Sequence, residues 1–288
     1  MIIVEMTGGL GNQMFQYALY RRLQLAGKEV KLDLTFYKTK QSLRRLELGV
    51  FDLPLEQAKK REIRYLKGYT NDASRWERAL TSRTNRHSCV YVEDLDKGYQ
   101  DIVMQKDTVY LSGYWQNELY FRDIRAQLLM DFAFPLEIEE RKKDLLCSLR
   151  TSHSVSVHIR RGDYLNSNNV KIYGGICTIE YYRRAMHYIQ EHIASPQFYV
   201  FTDDPEWVKQ NLNVEGMHMV EHEEGDPDYV DMFLMSQCEA HIIANSTFSW
   251  WGAWLDPKQE KIVVSPSRWL NNHDVNNAIC DWFITIES

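Results

Sequence analysis

The stretch VSVHIRRGDYL, residues 155–165, passes from alternating apolar residues into two arginines, a glycine and an aspartate. The alternation from Val155 to Ile159 has the period of two that predicts a β-strand, and we expect the strand to end at about Arg160. Gly162 then indicates a turn. The charged side chains are therefore expected at the end of a strand.

Strand and helix patterns alternate along the chain after this stretch. The predicted elements are a strand over 155–160, a helix over 178–192, a strand over 197–202, a helix opened by Asp204 and Pro205, a helix over 228–238, and strands over 241–244 and 261–265. Such alternation implies a doubly wound, largely parallel sheet.

The N-terminal half begins with the same pattern. It predicts a strand over 2–6, a glycine loop over 7–12, a helix over 13–27 and a strand over 29–34. Residues 113–132 indicate the end of a strand followed by a helix, whereas the pattern between about 40 and 110 resolves into no clear elements. We expect two domains, 1–150 and 151–288, with the boundary near residue 150.

The composition is that of a globular protein that does not span a membrane. The 288 residues are 44% hydrophobic and 26% charged, and no apolar run approaches the roughly 18 residues that a membrane helix needs. The formal net charge of -6 argues against nonspecific binding of nucleic acid. We therefore predict no nucleic-acid partner.

The cysteine pattern and the N-terminus both suggest a reducing compartment. The five cysteines are widely spaced and form no CxxC pair, which disfavours a disulfide framework and a zinc site. The first residues enter a strand and a glycine loop directly, without the charged region or cleavage site of a secretory signal. We expect a cytoplasmic protein.

Two segments depart from the average charge. Residues 56–87 are rich in Lys and Arg, and residues 221–231 are acidic. Solvated surface is the ordinary explanation for both. The basic segment also leaves open a weak contact with an anionic membrane surface.

Polar residues follow the ends of three predicted strands. They are His158, Arg160, Arg161 and Asp163 after one strand, Thr202, Asp203 and Asp204 after the next, and Asn245, Ser246, Thr247 and Ser249 after a third. Parallel strands place all three groups at the same carboxyl edge of the sheet, where open α/β sheets bind ligands. The sequence therefore predicts one site built from all three groups.

These groups together suit a nucleoside diphosphate. Arginine forks bind a diphosphate and stabilise it as a leaving group. Carboxylates accept hydrogen bonds from a base or a ribose, and small hydroxyls at a helix start bind phosphate. Taken singly, each group has an ordinary structural explanation: a surface ion pair, a helix N-cap, or an aromatic core segment. Their expected convergence on one edge favours an NDP-linked substrate.

The loop GGLGNQ, residues 8–13, is a weaker signal. It lacks the GK[ST] of a P-loop, and Met14 stands where a dinucleotide fingerprint has its third glycine. Its glycines nevertheless permit close approach of a ligand to the backbone, with Asn12 and Gln13 offering amides at the helix start.

Four motifs in this order resemble the bacterial α-1,2-fucosyltransferases of glycosyltransferase family 11. They are GGLGNQMFQYA, HIRRGDY, FTDDPEWVKQNL and NSTFSWWGAWL. The resemblance covers both halves of the chain and implies an α/β, GT-B-like fold of two Rossmann-like domains with parallel sheets facing a central cleft. It also implies metal-independent, inverting transfer of L-fucose from GDP-β-L-fucose to the 2-hydroxyl of a terminal galactose.

The resemblance further assigns roles by position. Residues 151–288 would bind GDP-fucose, and residues 1–150 would lie on the acceptor side. Arg160 and Arg161 resemble the diphosphate ligands, and His158 and Asp204 the guanosine contacts, with Asp203 beside them. The remaining donor contacts implied are Ser246, Thr247 and Ser249 in the motif NSTFSWWGAWL, and Gly11 and Asn12 in the N-terminal loop. If the galactose-terminated acceptor is lipid-linked, contact with the inner membrane surface would follow.

The sequence leaves two alternatives for the role of Asp163 and does not identify the general base. Asp163 follows the arginines and is a candidate to accept the acceptor proton, or it only orients Arg160 or Arg161. Trp250, Trp251 and Trp254 fit either core packing or stacking on sugar faces, and packing is the more frequent use.

Three alternatives remain beside fucosyl transfer. A metal-dependent GT-A transferase would use Asp226, Pro227 and Asp228 as a DxD motif and need Mn²⁺. A second alternative keeps the fold but uses another GDP-sugar. The third is a nucleotide-sugar or glycan binding protein without turnover.

Overall fold

The computed structural model describes residues 1–39, 44–68, 89–162, 164, 166–167, 169–223 and 225–287. The chain forms two compact units, Met1–Asp131 and Phe132–Ser288. We call them the N-terminal and the C-terminal unit and describe each by itself.

Within its described residues, the N-terminal unit is built on a parallel sheet of four strands in the order β2-β1-β4-β3. Its strands are β1 (Ile2–Glu5), β2 (Val30–Asp33), β3 (Val90–Val92) and β4 (Val109–Ser112). Its helices are α1 (Leu10–Leu25), α2 (Lys60–Lys67), α3 (Ile102–Gln105) and α4 (Arg125–Asp131). Short 3-10 helices cover Thr35–Lys38, Leu48–Val50, Leu95–Lys97, Glu118–Tyr120 and Arg122–Ile124.

The C-terminal unit contains a parallel sheet of six strands in the order β10-β9-β8-β5-β6-β7. Its strands are β5 (Ser154–Ile159), β6 (Gln197–Thr202), β7 (Met217–Met219), β8 (Ala240–Ile242), β9 (Ile262–Pro266) and β10 (Ile284–Ile286). Its helices are α5 (Glu137–Arg141), α6 (Lys143–Thr151), α7 (Val170–Tyr173), α8 (Ile179–His192), α9 (Pro205–Asn211), α10 (Tyr229–Ser236) and α11 (Thr247–Trp254).

The strand β5 lies inside the larger sheet and is buried along its whole length. Its alternating sequence suggested one polar face, but a parallel sheet is covered on both faces, so the polar residues need internal partners. The Ser154 hydroxyl donates to the carbonyl of Leu149 at 2.6 Å, and the Ser156 hydroxyl lies 2.8 Å from His241 Nδ1. The polar side chains of Ser154 and Ser156 are therefore paired inside the protein and not exposed to solvent.

The predicted strands and helices of the C-terminal half are confirmed, with ends that shift by a residue or two. The boundary differs: the second unit begins at Phe132, well before residue 150. Phe132 packs against Trp251 with ring centroids 5.2 Å apart, and Phe134 packs against Phe233 at 5.3 Å. These apolar contacts place the segment before β5 in the C-terminal unit.

The tryptophans of α11 serve as core. Trp250, Trp251 and Trp254 are each at most 1% exposed and contact one another through their rings. The Trp250 indole donates to the carbonyl of Ala278 at 2.7 Å. Packing, the more frequent use of such residues, is therefore their role here.

A buried polar chain links β5, β8 and the end of α11. Ser156 contacts His241 Nδ1, and His241 Nε2 lies 3.2 Å from Asp256 Oδ2. Asp256 Oδ1 also accepts a hydrogen bond from the backbone N–H of Lys258 at 3.0 Å. His241 and Asp256 are completely buried, so solvent cannot replace a lost partner.

Removal of the Asp256 carboxylate should destabilise the protein strongly. We expect Asp256→Ala to lower the free energy of unfolding by about 1–3 kcal/mol for each group that loses its partner, namely His241 and the Lys258 N–H. Denaturant unfolding followed by circular dichroism measures this change. Glu206→Ala removes an exposed ion pair with Lys209 and should change it by less than about 1 kcal/mol. Equal effects of the two substitutions would contradict the role given to Asp256.

Acid should destabilise the protein through two buried histidines. Burial lowers the pKa of His241, and burial together with the Arg160 cation lowers the pKa of His158 to about 3. Unfolded histidines titrate near about 6.5, so below that pH the unfolded chain binds protons that the folded chain does not. The contribution of the two neutral histidines to the free energy of unfolding is therefore complete above about pH 6.5. It is lost progressively as the pH falls below that value, and for His158 the loss continues down to its folded-state pKa of about 3.

Unfolding in denaturant at about pH 7, 6 and 5 measures this dependence. His158→Gln should make stability fall less steeply with acid, whereas His187→Gln, at a side chain 73% exposed, should leave the slope unchanged. A slope that His158→Gln does not alter would contradict the prediction.

Candidate active site

Three neighbouring strands of the C-terminal unit bring the predicted site residues to one edge. The strand β5 pairs with β6 on one side and with β8 on the other, all parallel. In the first pairing Ile159 lies opposite Thr202. Arg160 and Arg161 therefore leave the sheet beside Asp203 and Asp204, and the predicted convergence at the carboxyl edge is confirmed for the residues of the three groups that the structure describes.

Asp203 holds the turn after β5. Its Oδ1 accepts a hydrogen bond from the backbone N–H of Arg161 at 2.9 Å, and its Oδ2 accepts from the N–H of Gly162 at 3.1 Å. The same Oδ2 lies 3.1 Å from Nη1 of Arg160. A Cβ on residue 162 would stand 2.8 Å from this oxygen, which explains the glycine in the RRGD motif.

Asp204 joins the second arginine to the next helix. Its Oδ1 accepts from the backbone N–H of Trp207 at 3.2 Å and so caps α9, as its position before Pro205 predicts. Its Oδ2 accepts from Nε of Arg161 at 3.0 Å. Asp203 and Asp204 thus both pair with arginines, and their contact with guanosine stays a prediction.

Arg161 has a contact that the sequence did not suggest. Its guanidinium carbon lies 3.9 Å from the centroid of the Trp207 ring, the separation of a cation–π stack. Among the residues that the structure describes, the Nη1 and Nη2 groups of Arg161 make no hydrogen bond. Arg161 therefore offers two parallel N–H donors, the arrangement that binds a phosphate or carboxylate. The position of Trp207 could have indicated this contact, because it is the third residue after the Asp204 cap and so lies in the first turn of α9.

His158 is a neutral, buried imidazole at the end of β5. It is 6% exposed, and its ring lies 5.8 Å from the Phe248 ring of α11. With its pKa lowered to about 3 by burial and by Arg160, it carries no charge at neutral pH. Its Nδ1 has no hydrogen-bond partner within the described part of the chain. It can serve as a polar contact for a neutral group such as a base.

The third group of predicted residues forms the start of α11. Ser246 is its N-cap and accepts from the backbone N–H of Phe248 at 3.3 Å. Ser249 is buried and donates to the carbonyl of Ser246 at 3.3 Å. Thr247 is half-buried between them. Ser246 and Ser249 thus complete the helix start, and contact of any of the three with phosphate stays a prediction.

Asn245, just before this helix, has a structural role. Its Nδ2 donates to the carbonyls of Tyr173 and Trp269, each at 3.2 Å, and its backbone carbonyl accepts from the Tyr164 hydroxyl at 2.9 Å. The sequence grouped Asn245 with the ligand-binding residues because of its place at the strand end. The structure shows that its amide instead ties the loops of the C-terminal unit together.

The glycine loop of the N-terminal unit presents Asn12 at the start of α1. The Oδ1 of Asn12 accepts from Nε2 of Gln116 at 2.9 Å. Gly8 has a φ of +81°, and a Cβ there would stand 2.5 Å from Asn12 Nδ2, so glycine is required for both reasons. Gly11 is buried in the first helical turn. Roles of Gly11 and Asn12 toward the donor stay predictions.

Gln13, which the sequence offered as a ligand amide, is used inside the protein. Its Nε2 donates to the carbonyls of Gly8 and Arg45 at 3.0 and 2.8 Å, and its Oε1 accepts from the N–H of Glu47 at 2.8 Å. The side chain is completely buried. Gln13 therefore fixes the glycine loop and does not face a ligand.

Two further predicted residues bear on the chemistry. Asp163, the candidate base, lies outside the described residues. Asp226, the first aspartate of the alternative DxD motif, has a side chain 1% exposed and ion pairs with Arg141 and Lys142. Because each carboxylate oxygen of Asp226 is held by a cation, the geometry disfavours Asp226 as a metal ligand.

Within the described ranges, no helix has both the length and the apolar character needed to cross a bilayer.

Comparison with known proteins identifies the family of this chain. The model of the family Glycosyl transferase family 11 matches residues 93–282. The α-1,2-colitosyltransferase of Escherichia coli is 34% identical over 96% of this chain and 94% of its own length. The O-antigen biosynthesis glycosyltransferase WbnK of Escherichia coli is 29% identical over 98% of this chain and 99% of its own.

The fold matches that of a solved fucosyltransferase. The crystal structure of NodZ from Bradyrhizobium aligns with a TM-score of 0.51 at 16% identity, covering 89% of this chain and 92% of that chain. This likeness confirms the predicted α/β, GT-B-like fold. A family model that covers residues 93–282, and relatives that match along nearly the whole chain, show that the protein is a fucosyltransferase-like glycosyltransferase belonging to glycosyl transferase family 11.

Proposed function

We propose that this protein transfers L-fucose from GDP-β-L-fucose to the 2-hydroxyl of a terminal galactose, with inversion at the anomeric carbon. The proposal is based on the geometry of Arg161. Its Nε donates to Asp204, while its Nη groups make no hydrogen bond among the described residues. Such a fork suits a diphosphate leaving group. The C-terminal unit, which carries this fork, is the proposed donor-binding domain, and the N-terminal unit lies on the acceptor side.

The mechanism follows from charge. As the bond between fucose C1 and the β-phosphate oxygen breaks, the sugar becomes oxocarbenium-like and negative charge accumulates on the β-phosphate. Arg161, with Arg160 beside it, stabilises that charge in the transition state more than in the ground state. The galactose O2 forms the new bond to C1 from the opposite face and loses its proton, for which Asp163 is the proposed acceptor.

We propose further donor contacts around the Arg161 guanidinium. His158 offers a neutral buried imidazole to the guanosine, and Asp203 and Asp204 lie beside the arginines that they orient. Ser246, Thr247 and Ser249 are proposed on the phosphate side, and Gly11 and Asn12 from the N-terminal unit. With arginines in place of a divalent cation, we propose that no metal is required.

The acceptor is proposed to be a galactose-terminated oligosaccharide or O-antigen intermediate, because WbnK is named for O-antigen biosynthesis. Assembly of such an intermediate from a nucleotide sugar would take place in the cytoplasm. A lipid-linked acceptor would bring the protein to the inner membrane surface.

A second donor deserves a test because the relative of 34% identity is named a colitosyltransferase. Colitose is L-fucose without its 3-hydroxyl, so the two GDP-sugars differ by one oxygen atom. A site that hydrogen-bonds that hydroxyl rejects the sugar lacking it by about 10⁴-fold, whereas an apolar pocket discriminates only weakly. GDP-colitose is therefore the principal alternative donor.

A direct assay of the donor distinguishes these possibilities. Release of GDP is measured in EDTA from GDP-fucose, GDP-colitose and GDP-mannose, each with and without lactose as a galactose-terminated acceptor. We expect release from GDP-fucose that rises with lactose and is not stimulated by Mn²⁺. Faster turnover of GDP-colitose would move the assignment to colitosyl transfer, and a requirement for Mn²⁺ would contradict the proposed leaving-group chemistry.

Removal of the Arg161 guanidinium tests its proposed role in binding the leaving group. We expect Arg161→Ala to lower kcat for transfer about 10²- to 10³-fold, by analogy with the loss of one oxyanion-stabilising donor. The matched control is Arg184→Ala, which removes an exposed arginine paired with Glu180 on α8 and should leave kcat unchanged. Turnover by Arg161→Ala within a few-fold of the parent, with circular dichroism showing a folded protein, would count against the assignment.

A further inference from the structure

Arg161, Asp204 and Trp207 form a closed triangle of contacts. Asp204 Oδ2 accepts from Arg161 Nε at 3.0 Å, and Asp204 Oδ1 accepts from the backbone N–H of Trp207 at 3.2 Å. The Trp207 ring then lies 3.9 Å from the guanidinium carbon of Arg161. Each member is thus fixed by the other two.

The triangle restrains the plane of the guanidinium in two ways. A hydrogen bond at Nε fixes the direction of the group, but it leaves the plane free to tilt about that bond. The Trp207 ring, stacked on one face, opposes that tilt. The Nη1 and Nη2 groups, which have no hydrogen-bond partner among the described residues, are therefore left with a defined direction.

Local structure explains why a tryptophan can reach the arginine. Asp204 is the N-cap of α9, Pro205 occupies its first position, and Trp207 is the third helical residue. Side chains in the first turn of a helix lean toward its N-terminus. The ring is therefore directed back toward the turn that follows β5.

We infer that Trp207 is a positioning residue for the leaving group: its ring holds the Arg161 guanidinium in the plane in which both Nη groups bind the diphosphate of the donor. The inference rests on the proposed function, since it assumes that the diphosphate binds at Arg161. Trp207 acts through Arg161 and is not itself placed in contact with the substrate.

The test is a double-mutant cycle on GDP binding, measured by calorimetry with the full-length protein. The variants are Trp207→Ala, Trp207→Phe, Arg161→Lys and the double variant Arg161→Lys with Trp207→Ala. Lysine keeps the charge, so GDP binding stays measurable, but it lacks the planar group that stacks. Trp282→Ala is the control, because Trp282 is an exposed tryptophan whose ring centroid lies 5.5 Å from the Lys261 Nζ, and it is not among the candidate site residues.

We expect Trp207→Ala to weaken GDP binding about tenfold and Trp207→Phe, which keeps an aromatic face, to weaken it less than about threefold. In the Arg161→Lys background the same Trp207→Ala change should cost less than about twofold. Trp282→Ala should leave GDP affinity unchanged.

Two results would overturn the inference: GDP affinity unaffected by Trp207→Ala, or the same loss in the Arg161→Lys background as in the parent, which would show a general effect on the fold. Both differ from failure of the proposed function. In that case the parent protein itself would bind no GDP, and the inference would fall with it.

Discussion

Two adjacent arginines follow β5, and their like charges would drive the side chains apart unless anions held them. The structure supplies those anions from the neighbouring strand, where Asp203 pairs with Arg160 and Asp204 with Arg161. These pairs are open to solvent on one side and contribute little to stability, so their main effect is to position the arginines. Asp203 also fixes the turn, and Asp204 also caps α9. The candidate site depends on this pairing across β5 and β6, because the two aspartates set the direction in which the guanidinium groups leave the sheet.

Much of this arrangement followed from the sequence. The alternation of strand and helix predicted parallel strands, and parallel strands place everything that follows them at one edge. The residues after β5, β6 and β8 could therefore be grouped before any coordinates were known. The N-cap role of Asp204 was equally visible, because an aspartate before a proline opens many helices. Residue types and spacing therefore predicted that these groups meet at one edge of the sheet and that two arginines are among them.

Side-chain partners could not be obtained in the same way. In the sequence, Asp203 and Asp204 look like ligand contacts, yet in the structure each pairs with an arginine. The amides of Asn245 and Gln13 look available to a ligand, yet they donate to backbone carbonyls inside the fold. Each outcome depends on which carbonyl or cation lies within about 3 Å, a distance that strand periodicity does not encode. The short edge strands β3, β7 and β10 were missed because three residues are too few to show a period.

The proposed function and the positioning role of Trp207 both require that the diphosphate of a GDP-sugar binds at the Nη groups of Arg161. A crystal structure of the protein with GDP would show this contact. We expect β-phosphate oxygens within about 2.7–2.9 Å of Nη1 and Nη2 of Arg161, with Asp204 still bonded to Nε and Trp207 still stacked on the guanidinium. A diphosphate bound away from Arg161, with the guanidinium turned to solvent, would rule out this binding mode.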